Sequence, residues 1–466
     1  MINLHDCRKV KQLIAYKMAL ACGIGSNSRD WITFFYFTRA KMKVVVVESD
    51  TIKPLSPTPH HLRNLQLSFL DQIATPVFMP MILFYPSDNN SINANRLNRL
   101  KKSLSETLTN FYPLAGRVKD NSFINCNDEG VHYFEAQAKC QISQVIQQPE
   151  PAQLNKLLPY ELDNVGELVL AIQVNVFDCG GIAIGVCISH KVADALSLAM
   201  FLNSWAATAR GVSNTIFPRF DLATLFPPRN ISGFKPSTGI MKDKIVTKRF
   251  VFNASMIAAL KAKYTDNASV ECKRCPTRIE ALSAFIWSRF VAATTQGKWD
   301  PERLYTVLHA VNLRTRMDPP LPECYFGNIS RFSIATPCMD SKGECHDLVN
   351  QMRDAIKTID GEYVKKLQEG SGHLNFMKER AEKITKGDVL SFSFTSLCRF
   401  PLYETNFGWG KPLWVGSCSL TFKNLVVFMD TASGNGIEAW VNLKEADMAT
   451  FEGDEELLAF ATPTQY

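Results

Sequence analysis

The sequence predicts an α/β protein with mixed sheets, built as two sheet-containing halves. Three observations carry that prediction. Apolar runs of strand length recur along the chain and are interleaved with helical periodicities rather than segregated from them. A stretch rich in Pro, Gly, Ser and Lys, from Phe226-Pro227-Pro228 to Lys244, has no periodicity and divides those runs into two groups. A chain of 466 residues with 46% apolar content is long enough to bury more than one core.

The elements follow in order. A first strand is expected directly after Met42, in Lys43-Val44-Val45-Val46-Val47-Glu48, ahead of the proline-punctuated run Lys53 to Pro59. Arg96 to Thr109 is an amphipathic helix, with Leu97, Leu100, Leu104 and Leu108 on one face. Short strands are expected at Phe123 to Asn125 and Val131 to Ala136. Ala171 to Phe177 and Ile182 to Ile188 flank Asp178-Cys179-Gly180-Gly181, a turn signal that makes the pair a hairpin. Leu196 to Leu202 then reads as a buried helix that continues to about Arg210.

Beyond the divide, Lys248 to Asn253 begins a strand, and Thr277 with Glu280 forms a capping box that opens an apolar helix through Trp287 and Phe290. Leu304 to Val311 is a buried strand, Glu344 to Lys366 a charged helical region, and Val389 to Phe394 a strand. Leu425 to Met429 and Gly436 to Val441 form a second hairpin around Ser433-Gly434-Asn435-Gly436. The expected organisation is a basic leader over 1–41, an N-terminal domain over 42–225, a crossover linker over 226–246 and a C-terminal domain over 247–466.

Composition excludes several function classes. The longest uncharged apolar stretch, Pro76 to Pro86, is too short for a membrane span and holds Pro76, Pro80 and Pro86. The net charge of +6 is uneven: residues 1–41 carry +5, so the body is almost neutral and gives no reason to expect nucleic acid. The leader is basic, poor in acids and serines, and holds Trp31, Phe34, Phe35, Tyr36 and Phe37, with no secretory pattern. We read it as an over-extended start ahead of Met42, then as a disordered extension, with a transit peptide as the third reading. The 13 cysteines are scattered and often lie within apolar runs, which fits free thiols in a reducing compartment, hence a cytoplasmic location. Cys272 and Cys275 lack the second pair that a zinc site needs, so no metal is expected.

The most informative residues are His190 and Asp194, in Ile188-Ser189-His190-Lys191-Val192-Ala193-Asp194-Ala195. They sit where a hairpin strand stops and a helix starts, between two rigid supports. Two bland readings stand beside a reactive one. Asp194 is a good helix N-cap, and His190 suits a hydrogen-bonded core.

Together with Asn406-Phe407-Gly408-Trp409-Gly410, this run resembles the paired signatures of the plant BAHD acyltransferases, which move acyl groups from coenzyme A thioesters to alcohols or amines. Tyr112-Pro113-Leu114-Ala115-Gly116-Arg117, Asn312-Leu313-Arg314, Gly327-Asn328 and Ile437-Glu438-Ala439-Trp440-Val441 extend the resemblance over about residues 43 to 455. Phe84-Tyr85-Pro86, Cys126-Asn127-Asp128 and Arg316 to Pro322 are similar to the branch that acetylates alkaloid and terpenoid alcohols.

The resemblance implies a two-domain fold of the chloramphenicol-acetyltransferase type, a CoA-dependent acyltransferase fold with a channel between the domains and the histidine at its middle. It implies acetyl-CoA as co-substrate, no permanently bound cofactor, a small-molecule alcohol acceptor and a monomer. His190, whose ordinary pKa is about 6.5, would take the proton of the attacking hydroxyl. Asp194 would turn away from the ring and pair with Arg314, as structural support. Thr395, in Thr395-Ser396-Leu397, would serve as an oxyanion donor, with Leu397 standing where similar enzymes have tryptophan. Asn406 stands where the family usually has Asp, and Gly408, Trp409 and Gly410 would complete a structural aromatic turn. Lys273, Arg274 and the helix start at Thr277 would hold the phosphates of coenzyme A, with Lys411 a further candidate. Ile329 closes a Tyr-Phe-Gly-Asn stretch where many anthocyanin acyltransferases have cysteine, which argues against a flavonoid-glycoside acceptor.

Other readings stay open. The acceptor could be a volatile alcohol, a sugar or a phenolic. The Leu397 and Asn406 departures motivate a non-catalytic binding protein on the same fold. A peptide condensation domain would have a second histidine at Ser189, and a Ser-His-Asp hydrolase would need a Gly-x-Ser-x-Gly elbow that does not occur.

Overall fold

The computed structural model describes residues 42–87, 93–212, 216–231, 244–265, 275–295, 303–339, 345 and 347–463. The leader 1–41, most of the 226–246 linker, and Lys273 and Arg274 lie outside the described residues. From Lys43 on, the chain packs as one unit.

Runs of Ile, Val and Phe form two mixed sheets. The six-stranded sheet runs, edge to edge, Val44–Ile52, Val131–Ala138, Leu170–Phe177, Ile182–Ser189, Phe78–Tyr85 and Trp414–Gly416. The seven-stranded sheet runs Ser330–Ala335, Leu304–Asn312, Val389–Ser396, Leu425–Asp430, Ile437–Lys444, Ile245–Phe252 and Thr462–Pro463. Each contains parallel as well as antiparallel pairs: Val131–Ala138 lies parallel to Leu170–Phe177, and Leu304–Asn312 parallel to Val389–Ser396. A small sheet of Asn64–Gln66, Phe123–Asn125 and Arg117–Lys119 stands apart from both.

The expected division at 226–246 is crossed by the chain. Trp414–Gly416, from the second half, pairs with Phe78–Tyr85 and extends the first sheet. Tyr85 Oη donates to Thr405 O at 2.8 Å, so the same C-terminal stretch is tied to the first sheet again. The second sheet also begins inside the expected linker, at Ile245.

The charged helical region expected over 344–366 comprises two helices, Leu348–Lys357 and Gly361–Glu369, followed by a third, Ser371–Lys386. Asp360 caps the second by accepting from Tyr363 N, and Gly370, at φ 84°, closes it. Both are stop and start signals embedded in a charged run.

The strand that carries the site is buried along its whole length, between Leu170–Phe177 and Phe78–Tyr85. Each of its Ile and Val side chains stabilises the fold by about 1.5–3 kcal/mol through burial. Gly185 lets Leu157 cross it closely: a Cβ there would lie 2.0 Å from Leu157 O. Gly185→Ala is expected to destabilise by about 1–3 kcal/mol, the range for overpacked cores. Urea unfolding followed by tryptophan fluorescence checks this, as a lower midpoint at unchanged slope.

Two cores flank the site. One lies on the second sheet beneath the helix Arg278–Thr295, where Phe290 stacks on Phe392 at 4.2 Å. The other joins the halves: Phe69, Leu70 and Ile73 of the short helix Phe69–Ile73 pack with Leu222, Phe226, Leu313 and Ile329.

Candidate active site

The backbone at His190 is pinned from both neighbours of its strand. Ser189 N donates to Val169 O at 2.8 Å, and His190 N to Val77 O at 2.8 Å. The chain then turns, with Val192 N donating to Ser189 O at 3.0 Å, and Asp194 starts the helix Ala195–Ala209.

The imidazole is held at one nitrogen. Nδ1 lies 3.1 Å from Ala193 O and 2.9 Å from Asn328 Oδ1. The Asn328 amide is itself oriented, because its Nδ2 donates to Asp71 Oδ1 at 2.9 Å and to His190 O at 2.7 Å. Both neighbours of Nδ1 therefore only accept, so the network assigns the ring proton to Nδ1 and leaves the lone pair on Nε2. No described residue hydrogen-bonds to Nε2, and the residue keeps partial solvent exposure. Burial of the ring holds the His190 pKa below its ordinary value, against the opposing effects of the Asn328 bond and the Asp194 charge. At neutral pH the group is an uncharged base.

Asp194 does not touch the ring. Its Oδ1 accepts from Ser197 N at 2.9 Å, which is the N-cap, and its Oδ2 accepts from Ile329 N at 3.1 Å. Arg314 donates through NH1 to Oδ2 at 2.7 Å and through NH2 to Oδ1 at 3.3 Å. The pair is buried, Arg314 at 1% and Asp194 at 6% exposure. Burial alone would raise the Asp194 carboxyl, but the Arg314 guanidinium and the two amides outweigh it and hold the pKa below the usual value. Arg314 NH2 also reaches Tyr325 O at 2.9 Å and Ser197 Oγ at 3.2 Å, so one guanidinium ties three segments together.

A cavity of about 330 Å³ lies nearby in the chain, lined by Thr277, Glu280, Asn312, Thr315, Arg316, Thr395 and Ser396 over a floor that includes His309, Phe394 and Phe428. His190 is not in its lining. The turn Asn312 to Arg316 connects the two places: Arg314 points into the Asp194 cluster while Asn312, Thr315 and Arg316 line the cavity. Thr395 stands on Val389–Ser396, and its hydroxyl engages no described residue. His309 is neutral, burial pushing its pKa down to about 4, and its Nε2 meets Ser283 Oγ at 3.0 Å.

The helix start at Thr277 is already occupied. Thr277 N donates to Glu280 Oε2 at 2.8 Å and Glu280 N to Thr277 Oγ1 at 3.2 Å, the two halves of a capping box. Arg353 in turn holds Glu280, at 3.0 and 2.9 Å. A phosphate approaching this helix start meets a carboxylate, so the free-amide argument for an anion site fails at Thr277 itself. Lys411 pairs with Glu404 at 2.6 Å on the surface and is not in the lining of this cavity.

Asn406 makes a turn rather than an ion pair. Its Oδ1 accepts from Gly408 N at 2.8 Å and Gly410 N at 3.1 Å, and its backbone oxygen accepts from Arg210. This work needs an oxygen and not a charge. Gly408 sits at φ +106°, where an added Cβ would meet Arg99 NH1 at 2.6 Å. Phe407 packs edge-on against Trp205 at 4.8 Å, and Arg96 lies over Trp409 at 4.7 Å. None of the hydrogen-bond partners of His190 belongs to this turn.

Two functional neighbours were not singled out from sequence, Asn328 as the partner of Nδ1 and Asp71 behind it. Asn328 was legible only as part of Gly327-Asn328, and Asp71 only as the last residue of a Ser-x-x-Asp capping pattern.

Residues 42–458 match the model of the family described as the Transferase family. Stemmadenine O-acetyltransferase of Catharanthus roseus is 41% identical over 420 residues, which is 88% of this chain and 96% of that protein. Limonoid 21-O-acetyltransferase of Melia azedarach is 38% identical over 428 residues, 91% of this chain and 99% of that one. The crystal structure of vinorine synthase aligns with a TM-score of 0.78 at 37% identity, covering 90% of this chain and 98% of that chain.

Proposed function

The chain belongs to the Transferase family, that of the BAHD acyltransferases, and on that premise we propose that it transfers an acetyl group from acetyl-CoA to a hydroxyl of a plant specialised metabolite, a terpenoid or alkaloid alcohol. Members of the family are transferases that use an acyl-CoA as co-substrate, with no permanently bound cofactor. The observation that carries the catalytic part of the reading is the His190 ring, with its proton committed at Nδ1 and an unengaged lone pair at Nε2.

In this reading Nε2 takes the acceptor hydroxyl proton as the oxygen attacks the thioester carbonyl carbon. The C–O bond forms and the carbonyl pair moves to oxygen. The tetrahedral intermediate then collapses, the C–S bond breaks, and the thiolate of coenzyme A takes the proton back from Nε2. The free Thr395 hydroxyl is the proposed donor to the oxyanion, with a backbone amide as the alternative. Lys273 and Arg274, beyond the described residues, are the proposed contacts of the donor's phosphates; Thr277, engaged with the Glu280 carboxylate, is not one of them. Asp194, Arg314, Asn406, Gly408, Trp409 and Gly410 act structurally.

The names of the relatives, acetyltransferases of stemmadenine and of a limonoid, support an acetyl donor and a bulky alcohol. No helix among the described residues is long and apolar enough to cross a membrane. The reading extends to a cytoplasmic monomer.

The test is an assay of the full chain with acetyl-CoA and a panel of terpenoid, alkaloid, volatile, sugar and phenolic alcohols. Thiol release is followed in solution and products by mass. A terpenoid or alkaloid ester formed in step with thiol release is the expected result. An ester of another acceptor class would move the acceptor assignment. Coenzyme A bound without turnover on any acceptor or short-chain donor would replace the reading with the non-catalytic one.

A further inference from the structure

We propose that Asp71 is a positioning residue for the reaction, holding the His190 imidazole in the tautomer that leaves Nε2 basic by fixing Asn328; this rests on the reading of His190 as the base.

Asp71 is buried in the first turn of Phe69–Ile73, and its two oxygens do different work. Oδ2 accepts from Ser68 N at 3.0 Å and Ser68 Oγ at 2.6 Å, and Asp71 N donates back to Ser68 Oγ at 3.1 Å. That completes the helix cap and needs one oxygen only. Oδ1 faces the other way and accepts both Asn328 N at 3.0 Å and Asn328 Nδ2 at 2.9 Å. An amide side chain can rotate and exchange its oxygen for its nitrogen. In the rotated state Asn328 would offer N–H to Nδ1, and the ring proton would move to Nε2, where it blocks proton uptake. Asp71 opposes that rotation because a carboxylate accepts at both oxygens and donates at neither. Asparagine at this position has one acceptor for two demands, the cap and Asn328.

The charged groups around this cluster come from three elements. Lys191 follows the ring directly, and its Nζ donates to Gln72 O at 2.7 Å and Ala74 O at 3.0 Å at the far end of the Asp71 helix. Asp194 and Arg314 form the buried pair beyond Ala193. Burial raises the Asp71 carboxyl above its usual range, partly offset by the bonds from Ser68 and Asn328.

The experiment uses the full chain as wild type, Asp71→Asn, Ser68→Ala, Asn328→Ala and the Asp71→Asn/Asn328→Ala double variant, with acetyl-CoA and the best alcohol of the panel. Asp71→Asn is expected to lower kcat about 100-fold, with KM for acetyl-CoA within about threefold, as loss of a tautomer-setting partner does. Ser68→Ala should lower thermal stability yet keep kcat. The double variant should be no slower than Asn328→Ala alone, because Asp71 acts through Asn328. Wild-type kcat in Asp71→Asn, or losses that add fully in the double variant, would overturn the proposal. If Asp71→Asn does not fold, ¹⁵N-histidine NMR of the wild type decides: a proton on Nδ1 of His190 at neutral pH is expected, and one on Nε2 overturns the assignment. Undiminished turnover in His190→Ala would instead remove the underlying reading and is distinguishable from these outcomes.

Discussion

Replacing His190 with alanine is expected to lower kcat by about 1,000-fold, in the middle of the range that a positioned general base contributes. KM for acetyl-CoA should change little, because proton transfer at Nε2 belongs to the chemical step and not to binding of the donor. The fold should survive, since strand and helix are held by backbone bonds at Ser189 and His190 and by the Asp194 cap, none of which uses the imidazole. A residual rate from orientation of the two substrates is expected to remain. A variant that folds and turns over within about tenfold of wild type would remove His190 from the mechanism, since such a loss falls short of what a general base supplies.

The wild-type pH profile follows from the same geometry. The base must be uncharged, so kcat/KM should fall with unit slope as pH drops through the His190 pKa. That limb is expected below the ordinary value of about 6.5, because burial disfavours the imidazolium. It should be missing in His190→Ala. An acid limb centred above neutrality would contradict a buried, Nδ1-protonated ring.

The legible part of the molecule was the part encoded locally. The hairpin at Ala171 to Ile188, the helix behind Asp194 and the Thr277–Glu280 cap lie in continuous stretches whose periodicity or turn residues state their conformation. The site beyond His190 is not local. Asn328 reaches the ring from 138 residues away, and Asp71 reaches Asn328 across 257. No spacing rule connects them, and each has an ordinary local role, one in a glycine-containing turn and one in a helix cap. Trp414–Gly416 was missed as a strand for a related reason: three residues buried on all sides show no alternation. Its partner, Phe78–Tyr85, lies far upstream. The charge pattern over 344–366 marks a helical region but does not reveal the break at Asp360-Gly361 or the stop at Gly370.

Asp194 and Arg314 separate a structural role from a catalytic one by the size of two effects. Asp194→Asn keeps the shape and a cap acceptor but leaves a guanidinium that is 1% exposed without its counter-charge. Removing one partner of such a buried pair costs about 3–5 kcal/mol, a large share of the roughly 5–15 kcal/mol that holds a domain folded. Arg314→Met should cost a similar amount by stranding the carboxylate. The double variant should lose less than the sum, because neither charge is then left alone. Urea unfolding of the three variants checks the cycle. The sign of the pH effect is set by the depressed Asp194 pKa. The pair's stabilisation is full above the unfolded carboxyl value of about 3.9 and fades as pH falls through the lower folded value. Activity per folded molecule should stay within about tenfold of wild type in Asp194→Asn, because the carboxylate binds Arg314, Ser197 and Ile329 and never the imidazole. Were Asp194 the orienting carboxylate of a triad, the result would reverse: stability nearly unchanged and kcat lower by about 10,000-fold. The pair of measurements thus assigns the aspartate of the His-x-x-x-Asp run to the fold, and leaves the orientation of His190 to Asn328.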